Sequence, residues 1–367
     1  MNVLVFGGNG FMGATTVHLL LERGDHVTLI NRGNWYWDSG SRIKPSVRHL
    51  SCDRMKSLQV CHDVQEFFEA NPDVNFDAVV DFSAYHPFAI TDGLDALKGR
   101  IGRYIYISSD SVYEVCQKNH SAPSREEDSV RPISHEEQDE MNKRDDYGHR
   151  KFACEEELIK QRATGGVPFI ALRLPDVIGK RDSTMRWWIY QIWLKLHDYL
   201  VRSISVPKFL EMKPLSLVYS DDVAEVILTC IDGDDRLYDQ AYNLAFMENP
   251  TLLELLNKMK TGLGLHSLDV RIDEKDDVVH LYPSVSKGVV DITKAQRDLG
   301  WHPTSLDEVV DELMEFYEDA ISNTLFLREQ KEIIRTMQTH FTNEPWRVIQ
   351  GLRDVYGMIF SDRKDEL

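Results

Sequence analysis

The side chains of Ser109, Tyr147 and Lys151 could together transfer a proton to or from the oxygen of a carbinol. Tyr147 and Lys151 are four positions apart, so on a helix both side chains lie on one face. An adjacent ammonium stabilises a phenolate and lowers a tyrosine pKa that is ordinarily about 10. Ser109 ends an earlier predicted strand and can donate a hydrogen bond to the same substrate oxygen. We therefore predict Tyr147, Lys151 and Ser109 as catalytic residues of a hydride transfer involving nicotinamide; the alternative is ordinary polar residues at element ends.

A cofactor for that transfer needs a cradle, and the start of the chain has its pattern. A short apolar run precedes three glycines spaced G-x-x-G-x-x-G, and a helical pattern follows them. In such a cradle one glycine makes a tight turn, one admits the pyrophosphate and one lets the helix pack closely, while the helix N-terminus offers free N–H groups. The predicted cofactor-binding residues here are Gly7, Gly10, Phe11, Met12 and Gly13. The alternative is a glycine-rich turn without a ligand.

The end of the second predicted strand bears on the choice of cofactor. Asn31 lies 18 residues past Gly13, about where an NAD enzyme has the acid that binds the ribose hydroxyls. No carboxylate is present to repel a 2′-phosphate, and Arg32, whose guanidinium binds phosphate well, follows directly. We predict NADP as the cofactor, with NAD as the alternative. Arg32 would otherwise be a solvated loop charge.

Further candidates follow other predicted strands. Asp53 comes after a short strand at 47–50 and could accept the adenine amino group, although an aspartate in a loop equally serves as a turn residue. Phe82 ends another predicted strand, and Ser83 and Pro175 directly follow predicted strands. Ligands of a parallel sheet lie at the carboxyl ends of its strands, so we add all four residues to the predicted cofactor site. Lys151 can also hold the nicotinamide ribose and is predicted as a cofactor-binding residue as well.

The order of elements predicts the fold class. Strands alternate with helices over the first 110 residues, and the alternation ends after Gly179. We predict an α/β fold: a doubly wound parallel Rossmann sheet, a smaller mixed C-terminal substrate region and a helical tail. The predicted domains are residues 1–178 with 216–247 for dinucleotide binding, 179–215 and 248–320 for substrate, and 321–367 as a C-terminal helical extension. That extension would pack on the body or on a second subunit, which leaves a homodimer open.

Composition and charge restrict the partners and the compartment. A net charge of −18 disfavours nucleic acid and anionic lipid, so we expect a small-molecule substrate and neither nucleic acid nor membrane as a partner. Five scattered cysteines without a C-x-x-C pair predict reduced thiols and no zinc site. Residues 364–367 spell an ER-retrieval signal, but the N-terminus lacks the features of a signal peptide. We therefore expect a cytoplasmic protein rather than one of the ER lumen.

Taken together, the motifs resemble those of the extended short-chain dehydrogenase/reductases, in particular the NAD-dependent epimerase/dehydratase group. The segments that carry the resemblance are 7–13, 107–113, 147–151, 173–179, 218–224, 242–245, 291–295 and 299–301. The resemblance covers about residues 1 to 318. It implies Tyr147 as the general acid and base, Lys151 as its partner, and Ser109, four residues before Tyr113, as the hydroxyl that polarises the substrate.

Two departures from the family pattern limit the reaction and the substrate. Asp110-Ser111 stands where sugar dehydratases carry an Asp-Glu pair, which argues against dehydration. Segments 213–216 and 281–284 lack the arginines that nucleotide-sugar members place there, which argues against a UDP- or TDP-sugar. We predict an NAD(P)-dependent oxidoreductase or epimerase acting on a hydroxyl or keto carbon of a sugar-like metabolite, with a nucleotide sugar left open. The alternative is a non-catalytic dinucleotide-binding sensor or scaffold.

Overall fold

The computed structural model describes residues 1–118, 120–275 and 278–360. Its strands are β1 (Asn2–Phe6), β2 (His26–Asn31), β3 (Arg48–Ser51), β4 (Ala78–Asp81), β5 (Tyr104–Ser109), β6 (Phe169–Leu174), β7 (Asp176–Ile178), β8 (Ser205–Pro207), β9 (Leu217–Tyr219), β10 (Gln240–Asn243) and β11 (Arg271–Asp273). Its α-helices are α1 (Phe11–Glu22), α2 (Ser39–Arg42), α3 (His62–Ala70), α4 (Pro87–Ala96), α5 (His135–Arg144), α6 (Asp146–Ala163), α7 (Arg186–Lys195), α8 (Ser220–Asp232), α9 (Leu252–Gly262), α10 (Thr293–Leu299), α11 (Leu306–Ala320), α12 (Leu327–His340) and α13 (Pro345–Tyr356). The retrieval signal at 364–367 lies outside the described residues.

Within the described residues, seven parallel strands form the central sheet in the order β10-β6-β5-β4-β1-β2-β3. Helices cover both faces of the sheet, so side chains on both faces of its inner strands are buried and almost all apolar. Val3 and Val5 of β1 pack in one core cluster with residues of α1 and α8. Leu4 and Phe6 point the other way, into a cluster with residues of α3, α4 and α6. This arrangement confirms the predicted doubly wound Rossmann fold.

The strand order reverses between β1 and β4. β1 pairs with β2 on one side and with β4 on the other, so the connections that leave these strands turn in opposite directions. A crevice for ligands opens beyond the carboxyl ends of the strands at such a point. The glycine-rich turn follows β1 directly, and the predicted Phe82 and Ser83 follow β4 directly.

The chain divides into two compact units. The first contains residues 1–177, 216–247 and 284–303, and the second contains 178–215, 248–283 and the described residues from 304 onwards. The first unit holds the central sheet. In the second, β8 pairs in parallel with β11, and α7 is buried on all sides, with Trp187, Trp188 and Trp193 at most 1% exposed. The tail helices α12 and α13 belong to this second unit.

The cysteines differ from the prediction of reduced thiols. Cys52 and Cys61 form a disulfide, with their Cα atoms 5.5 Å apart, whereas Cys116, Cys154 and Cys230 are free and buried. This disulfide could not be predicted from the spacing of the cysteines, because the connection between β3 and α3, and not a short sequence motif, brings the two sulfurs together. No helix in the described ranges is long and apolar enough to cross a membrane.

Candidate active site

The glycine turn after β1 has the geometry of a phosphate cradle. Gly7 has a φ of +81°, which favours glycine. A Cβ at Gly13 would lie only 2.7 Å from the Gly7 carbonyl oxygen, so glycine lets α1 start against the turn. The Ala14 amide donates to the Gly10 carbonyl, and the amides of residues 11–13 come before it in the first turn of α1. The N–H groups at the start of α1, which have no partner within the helix, and the positive end of the helix dipole suit a pyrophosphate.

A segment between β2 and β3 packs on this turn. A Cβ at Gly10 would lie 2.8 Å from Cδ2 of Tyr36, so the tyrosine ring rests on the glycine. Ser39 donates a hydrogen bond of 2.8 Å to the Asn9 carbonyl, and the Asn9 side chain donates to the carbonyl of Asn34. Sequence analysis missed Tyr36 because nothing in its local pattern shows that the segment folds back onto the glycines.

The end of β2 contains the two residues that bear on cofactor choice. Oδ1 of the buried Asn31 accepts a hydrogen bond of 2.8 Å from the Gly33 amide and lies 3.0 Å from Nε2 of His49. The buried Nδ2 of Asn31 has no hydrogen-bond partner among the described residues. The Arg32 side chain is exposed, and within the described ranges it forms no ion pair. Asn31 thus has its acceptor atom engaged, while Arg32 keeps its charge available.

The end of β4 is held by a buried carboxylate that sequence analysis did not single out. Oδ1 of Asp81 accepts hydrogen bonds from the amides of Ser83 (2.8 Å) and Ala84 (2.9 Å). This turn places Ser83 against the glycine loop, since a Cβ at Gly7 would lie 3.0 Å from Cβ of Ser83. Phe82 is half-buried and packs on the core beneath. The structure thus brings the predicted residues Phe82 and Ser83 to the glycine turn.

A buried arginine neutralises Asp81. Arg54 lies 3.1 Å from Oδ2 of Asp81 and stacks on the Phe6 ring, with 3.7 Å between the guanidinium carbon and the ring centroid. Tyr104 donates to the same carboxylate oxygen at 2.5 Å. The neighbouring Asp53 accepts a hydrogen bond of 3.1 Å from the Met55 amide, which is the turn role that sequence analysis left open.

The Lys151 side chain is buried at the ends of β4 and β5. Its side chain is 3% exposed, and Nζ donates to the carbonyl of Ile107 at 2.6 Å and to that of Ala84 at 3.3 Å. The ammonium also lies 4.6 Å from the Tyr106 ring centroid and 5.1 Å from that of Tyr85. Burial lowers the pKa of Lys151 to about 8. The ammonium therefore joins the ends of β4 and β5.

Tyr147 lies near the start of α6, beside Ser109 and Tyr85. Its ring centroid is 6.4 Å from that of Tyr85. Desolvation, followed by the neighbouring Tyr85 and Asp110, raises the pKa of Tyr147 above its usual value, and the nearby Ser109 hydroxyl opposes the rise. Because 47% of Tyr147 is exposed, its desolvation is only partial.

The predicted lowering of this phenol pKa by Lys151 is therefore not found. The two side chains leave α6 one helical turn apart, as the spacing requires, but the ammonium turns towards the carbonyls of Ile107 and Ala84. Backbone carbonyl oxygens carry a partial negative charge, so they attract a buried cation more strongly than an uncharged phenol does. The predicted residues come together, but with different pairings.

The two serines at the end of β5 have different partners. Ser109 accepts a hydrogen bond of 3.2 Å from the Ser111 amide and donates one of 3.3 Å to Oδ1 of Asp110. Ser108 points away, and its hydroxyl donates to Oε1 of Glu155 at 2.5 Å. The Ser109 hydroxyl therefore stays at the end of β5, next to Asp110, whereas that of Ser108 is committed to Glu155.

A buried ion pair supports this end of the sheet. Arg173 of β6 lies 2.7 Å from Oε2 of Glu155 and donates to the Tyr113 hydroxyl at 3.0 Å. Tyr113 in turn donates to Oδ1 of Asn243 at 2.7 Å. The signal that could have revealed the pair is an arginine within an otherwise apolar strand, which must be paired when buried. Pro175, the last predicted cofactor residue, is buried directly after β6.

The site therefore combines a cradle and an acid–base group at one end of one sheet. The glycine turn, the amides of α1 and the turn at 82–84 fit a dinucleotide, because each presents backbone where a side chain would obstruct the ligand. Tyr147 and Ser109 present hydroxyl groups that can exchange a proton with a substrate oxygen.

The sequence and the fold both match known proteins. The profile of the NAD dependent epimerase/dehydratase family matches residues 3–245. No curated protein matches the chain significantly. Among solved structures, the UDP-glucose 4-epimerase of Thermotoga maritima, crystallised with UDP-glucose, is 20% identical with a TM-score of 0.66, and the match covers 88% of this chain and 100% of that one.

Two further structures have the same fold. The UDP-glucuronic acid 4-epimerase of Bacillus cereus, in complex with NAD, is 16% identical with a TM-score of 0.63, over 87% of this chain and 99% of that one. The UDP-N-acetylglucosamine 4-epimerase of Methanobrevibacter ruminantium M1, in complex with UDP-N-acetylmuramic acid, is 20% identical with a TM-score of 0.63, over 86% and 97%.

Proposed function

Because the chain belongs to the NAD-dependent epimerase/dehydratase family, we propose that it transfers a hydride between a nicotinamide dinucleotide and a hydroxyl or keto carbon of a sugar-like metabolite. Family membership confirms the resemblance predicted from the sequence motifs, and with it an enzyme of the extended short-chain dehydrogenase/reductase type. The observation that carries the proposal is that the glycine turn follows β1 and Ser109 ends β5 at the same edge of one parallel sheet, with Tyr147 on α6, its ring centroid 6.4 Å from that of Tyr85.

The first unit has the residues to hold the cofactor. The turn from Gly7 to Gly13 and the first amides of α1 would bind the pyrophosphate. Phe82 and Ser83 would lie along the dinucleotide, because their turn packs on Gly7. When bound, the nicotinamide supplies the position that accepts or gives the hydride.

NADP is the form that we propose. A ribose with free 2′- and 3′-hydroxyls needs an acceptor at the end of β2, and Oδ1 of Asn31 is already engaged by the Gly33 amide and His49. A 2′-phosphate instead needs a cation, and the exposed Arg32 provides one. A preference for NADP in turn favours net reduction of a ketone over epimerisation with a retained cofactor.

The catalytic roles follow from the contacts around α6. Tyr147 would exchange the proton with the substrate oxygen, and Ser109 would donate a hydrogen bond to the same oxygen. Lys151 would chiefly position the neighbouring residues, since its ammonium donates both to the carbonyl of Ala84, after β4, and to that of Ile107, in β5. This contact aligns the turn that carries Ser83 with the strand that carries Ser109.

The substrate class is the least constrained part of the proposal. The solved neighbours act on UDP-sugars, which supports a sugar-like substrate. The two segments in which nucleotide-sugar members carry arginines read Lys213-Pro214-Leu215-Ser216 and Leu281-Tyr282-Pro283-Ser284. We therefore propose a sugar or polyol derivative and include nucleotide sugars in the screen.

The test measures dinucleotide binding and turnover in the same preparations. Wild-type protein should bind NADPH at micromolar concentration and consume it with one member of a panel of keto-sugars, polyols and nucleotide sugars. Tyr147→Phe should lower the rate by about 100-fold or more while dinucleotide affinity is retained. Tyr199→Phe, at a tyrosine hydrogen-bonded to Asp354, is the matched control and should keep wild-type rates.

Two results would contradict the proposal. Absence of dinucleotide binding would remove its basis. Equal rates in wild type and Tyr147→Phe would exclude the phenol as the proton carrier and would favour a dinucleotide-binding sensor or scaffold.

A further inference from the structure

The disulfide between Cys52 and Cys61 closes a short loop beside the proposed cofactor site. The two cysteines are nine positions apart in the chain. Cys52 follows β3 directly, and its amide donates to the carbonyl of Asn31 at 3.0 Å. Cys61 comes directly before α3, and its carbonyl accepts from the Val64 amide at 3.1 Å. The bond therefore ties the carboxyl end of β3 to the start of a helix.

The loop that the disulfide closes, residues 53–60, is exposed over half of its length. Residues 55, 56, 59 and 60 are exposed, whereas Arg54 and Leu58 are buried. The Leu58 amide donates to Oδ2 of Asp92 at 2.8 Å, and the Ser57 hydroxyl donates to Oδ1 of the same residue. The loop is thus anchored by two buried side chains and by the covalent bond between its ends.

Arg54 connects this loop to the cofactor site. Its guanidinium donates to Oδ2 of Asp81 at 3.1 Å. Oδ1 of Asp81 accepts from the amides of Ser83 (2.8 Å) and Ala84 (2.9 Å). A Cβ at Gly7 would lie 3.0 Å from Cβ of Ser83, so this turn packs on the glycines. A change in the position of Arg54 therefore acts on the turn that we propose to lie along the dinucleotide.

Breaking the disulfide would weaken the contact between Arg54 and Asp81. β3 is the outermost strand of the sheet and pairs only with β2, so its end is held from one side. With the bond broken, the ends of the loop are held only by β3 and α3, and the exposed residues gain conformational freedom. Arg54 then contacts Asp81 for a smaller fraction of the time, because the contact has to order more of the chain.

We propose that the Cys52–Cys61 disulfide is a thiol-exchange site that sets dinucleotide affinity: the oxidised protein binds tightly and the reduced protein binds weakly. This inference rests on the proposed function. A coupling between two equilibria is reciprocal, so bound dinucleotide must make the disulfide harder to reduce by the same factor. We expect this factor to be about 5 or more.

The exchange needs a thiol reductant, for which dithiothreitol is the probe. Cys52 is 4% exposed and Cys61 is half-buried, so Cys61 is the sulfur that the reductant reaches. A thiolate of the reductant bonds to Sγ of Cys61 as the S–S bond breaks, and Cys52 leaves as a thiolate that takes a proton from water. The second thiolate of the reductant then displaces Cys61, which is protonated in turn. The protein disulfide gains two electrons, which the dithiol loses as it becomes a cyclic disulfide.

The first test combines a thiol count with a titration. In denaturant, air-oxidised protein should show three reactive thiols and reduced protein should show five. The Kd for NADPH should be about 5-fold or more higher for reduced than for oxidised wild type. Cys52→Ser combined with Cys61→Ser is the matched control, since it retains the other three cysteines. Its Kd should equal that of reduced wild type and should not change with dithiothreitol.

The second test follows the path through Asp81 and does not need the cofactor. Reduction should speed the hydrogen exchange of the Ser83 and Ala84 amides, whose acceptor is Asp81. The amides of β6, four strands from β2 in the sheet order, should exchange equally in the two forms and serve as an internal control.

The third test measures the reciprocal effect. In a buffer of reduced and oxidised dithiothreitol, saturating NADPH should lower the reduced fraction of the wild-type protein. The change in the thiol–disulfide equilibrium constant should equal the ratio of the two Kd values for NADPH.

The outcomes separate this inference from the proposed function. Equal NADPH affinity of oxidised and reduced wild type, five reactive thiols in the oxidised protein, or unchanged exchange at Ser83 and Ala84 would overturn the redox coupling alone. A Kd of the double serine variant that changes with dithiothreitol would do the same. Absence of dinucleotide binding in both redox forms would overturn the proposed function and, with it, this inference.

Discussion

The Lys151 ammonium lies 2.6 Å from the carbonyl oxygen of Ile107, forty-four residues earlier in the chain. This contact, with the second one to Ala84, fixes the cation between two strand ends and away from the phenol one helical turn before it. Desolvation and the neighbouring Tyr85, and not the ammonium, then account for the raised pKa of Tyr147. The predictions below test this arrangement and the contacts that frame it.

The buried charge of Lys151 predicts a specific pH dependence of stability. Because burial lowers its pKa to about 8, the folded protein loses this proton before the unfolded chain does, and stability should rise with pH above about 8 until the unfolded lysine also titrates, at about 10.4. The contribution is at most about 1.4 kcal/mol per pH unit. Urea unfolding at several pH values should show this slope in wild type and a smaller one in Lys151→Met. Lys160→Met, at a residue 75% exposed, should keep the wild-type slope.

The exposed Arg32 predicts cofactor selectivity. Arg32→Ala removes the cation that would meet a 2′-phosphate, so NADPH affinity should fall by about 10- to 100-fold, about 1.4 to 2.8 kcal/mol, with NADH affinity unchanged. Arg48→Ala is the control, since Arg48 is exposed but stands at the amino-terminal end of β3. Titration of both variants with both dinucleotides decides the question. A parallel loss for NADPH and NADH, or no loss, would refute the assignment.

The close approach at Gly13 predicts a packing defect. In Gly13→Ala the new methyl group would lie 2.7 Å from the Gly7 carbonyl oxygen, so α1 or the turn must move. We expect a loss of about 1–3 kcal/mol in unfolding free energy and weaker dinucleotide binding. Gly40→Ala should be tolerated, because its nearest neighbour would be 3.5 Å away. Equal stability of the two variants would argue against a tight glycine contact.

The buried pair of Arg54 and Asp81 predicts a coupled loss of stability and binding. Arg54→Met leaves Asp81, which is 0% exposed, without its cation, and should cost about 3–5 kcal/mol in unfolding free energy. Dinucleotide affinity should also fall, because Asp81 holds the amides of Ser83 and Ala84. Arg236→Met, which breaks an exposed pair with Asp234, should leave the unfolding free energy nearly unchanged. Denaturant unfolding and dinucleotide titration of both variants measure the two effects.

Much of the fold was predictable because its signals are local. The apolar run at 3–6, the glycine spacing and the helical pattern behind them specify a buried strand, a turn and a helix whatever the rest of the chain does. The same holds for Pro345, which begins α13 where a proline is tolerated. Residues 284–303 were predicted as part of the substrate region but cluster with the first unit, which no local pattern reveals.

The sequence by itself determined the strand and helix pattern, the order of the motifs and the identity of the hydroxyl groups at the site. Tertiary structure alone decided the partners of each polar group: Lys151 on backbone carbonyls, Arg54 on Asp81, Arg173 on Glu155 and Cys52 on Cys61. The physical reason is that hydrophobic periodicity depends on neighbouring residues in the chain. The lowest-energy partner of a buried charge depends instead on which donors and acceptors the folded sheet brings within about 3 Å of it.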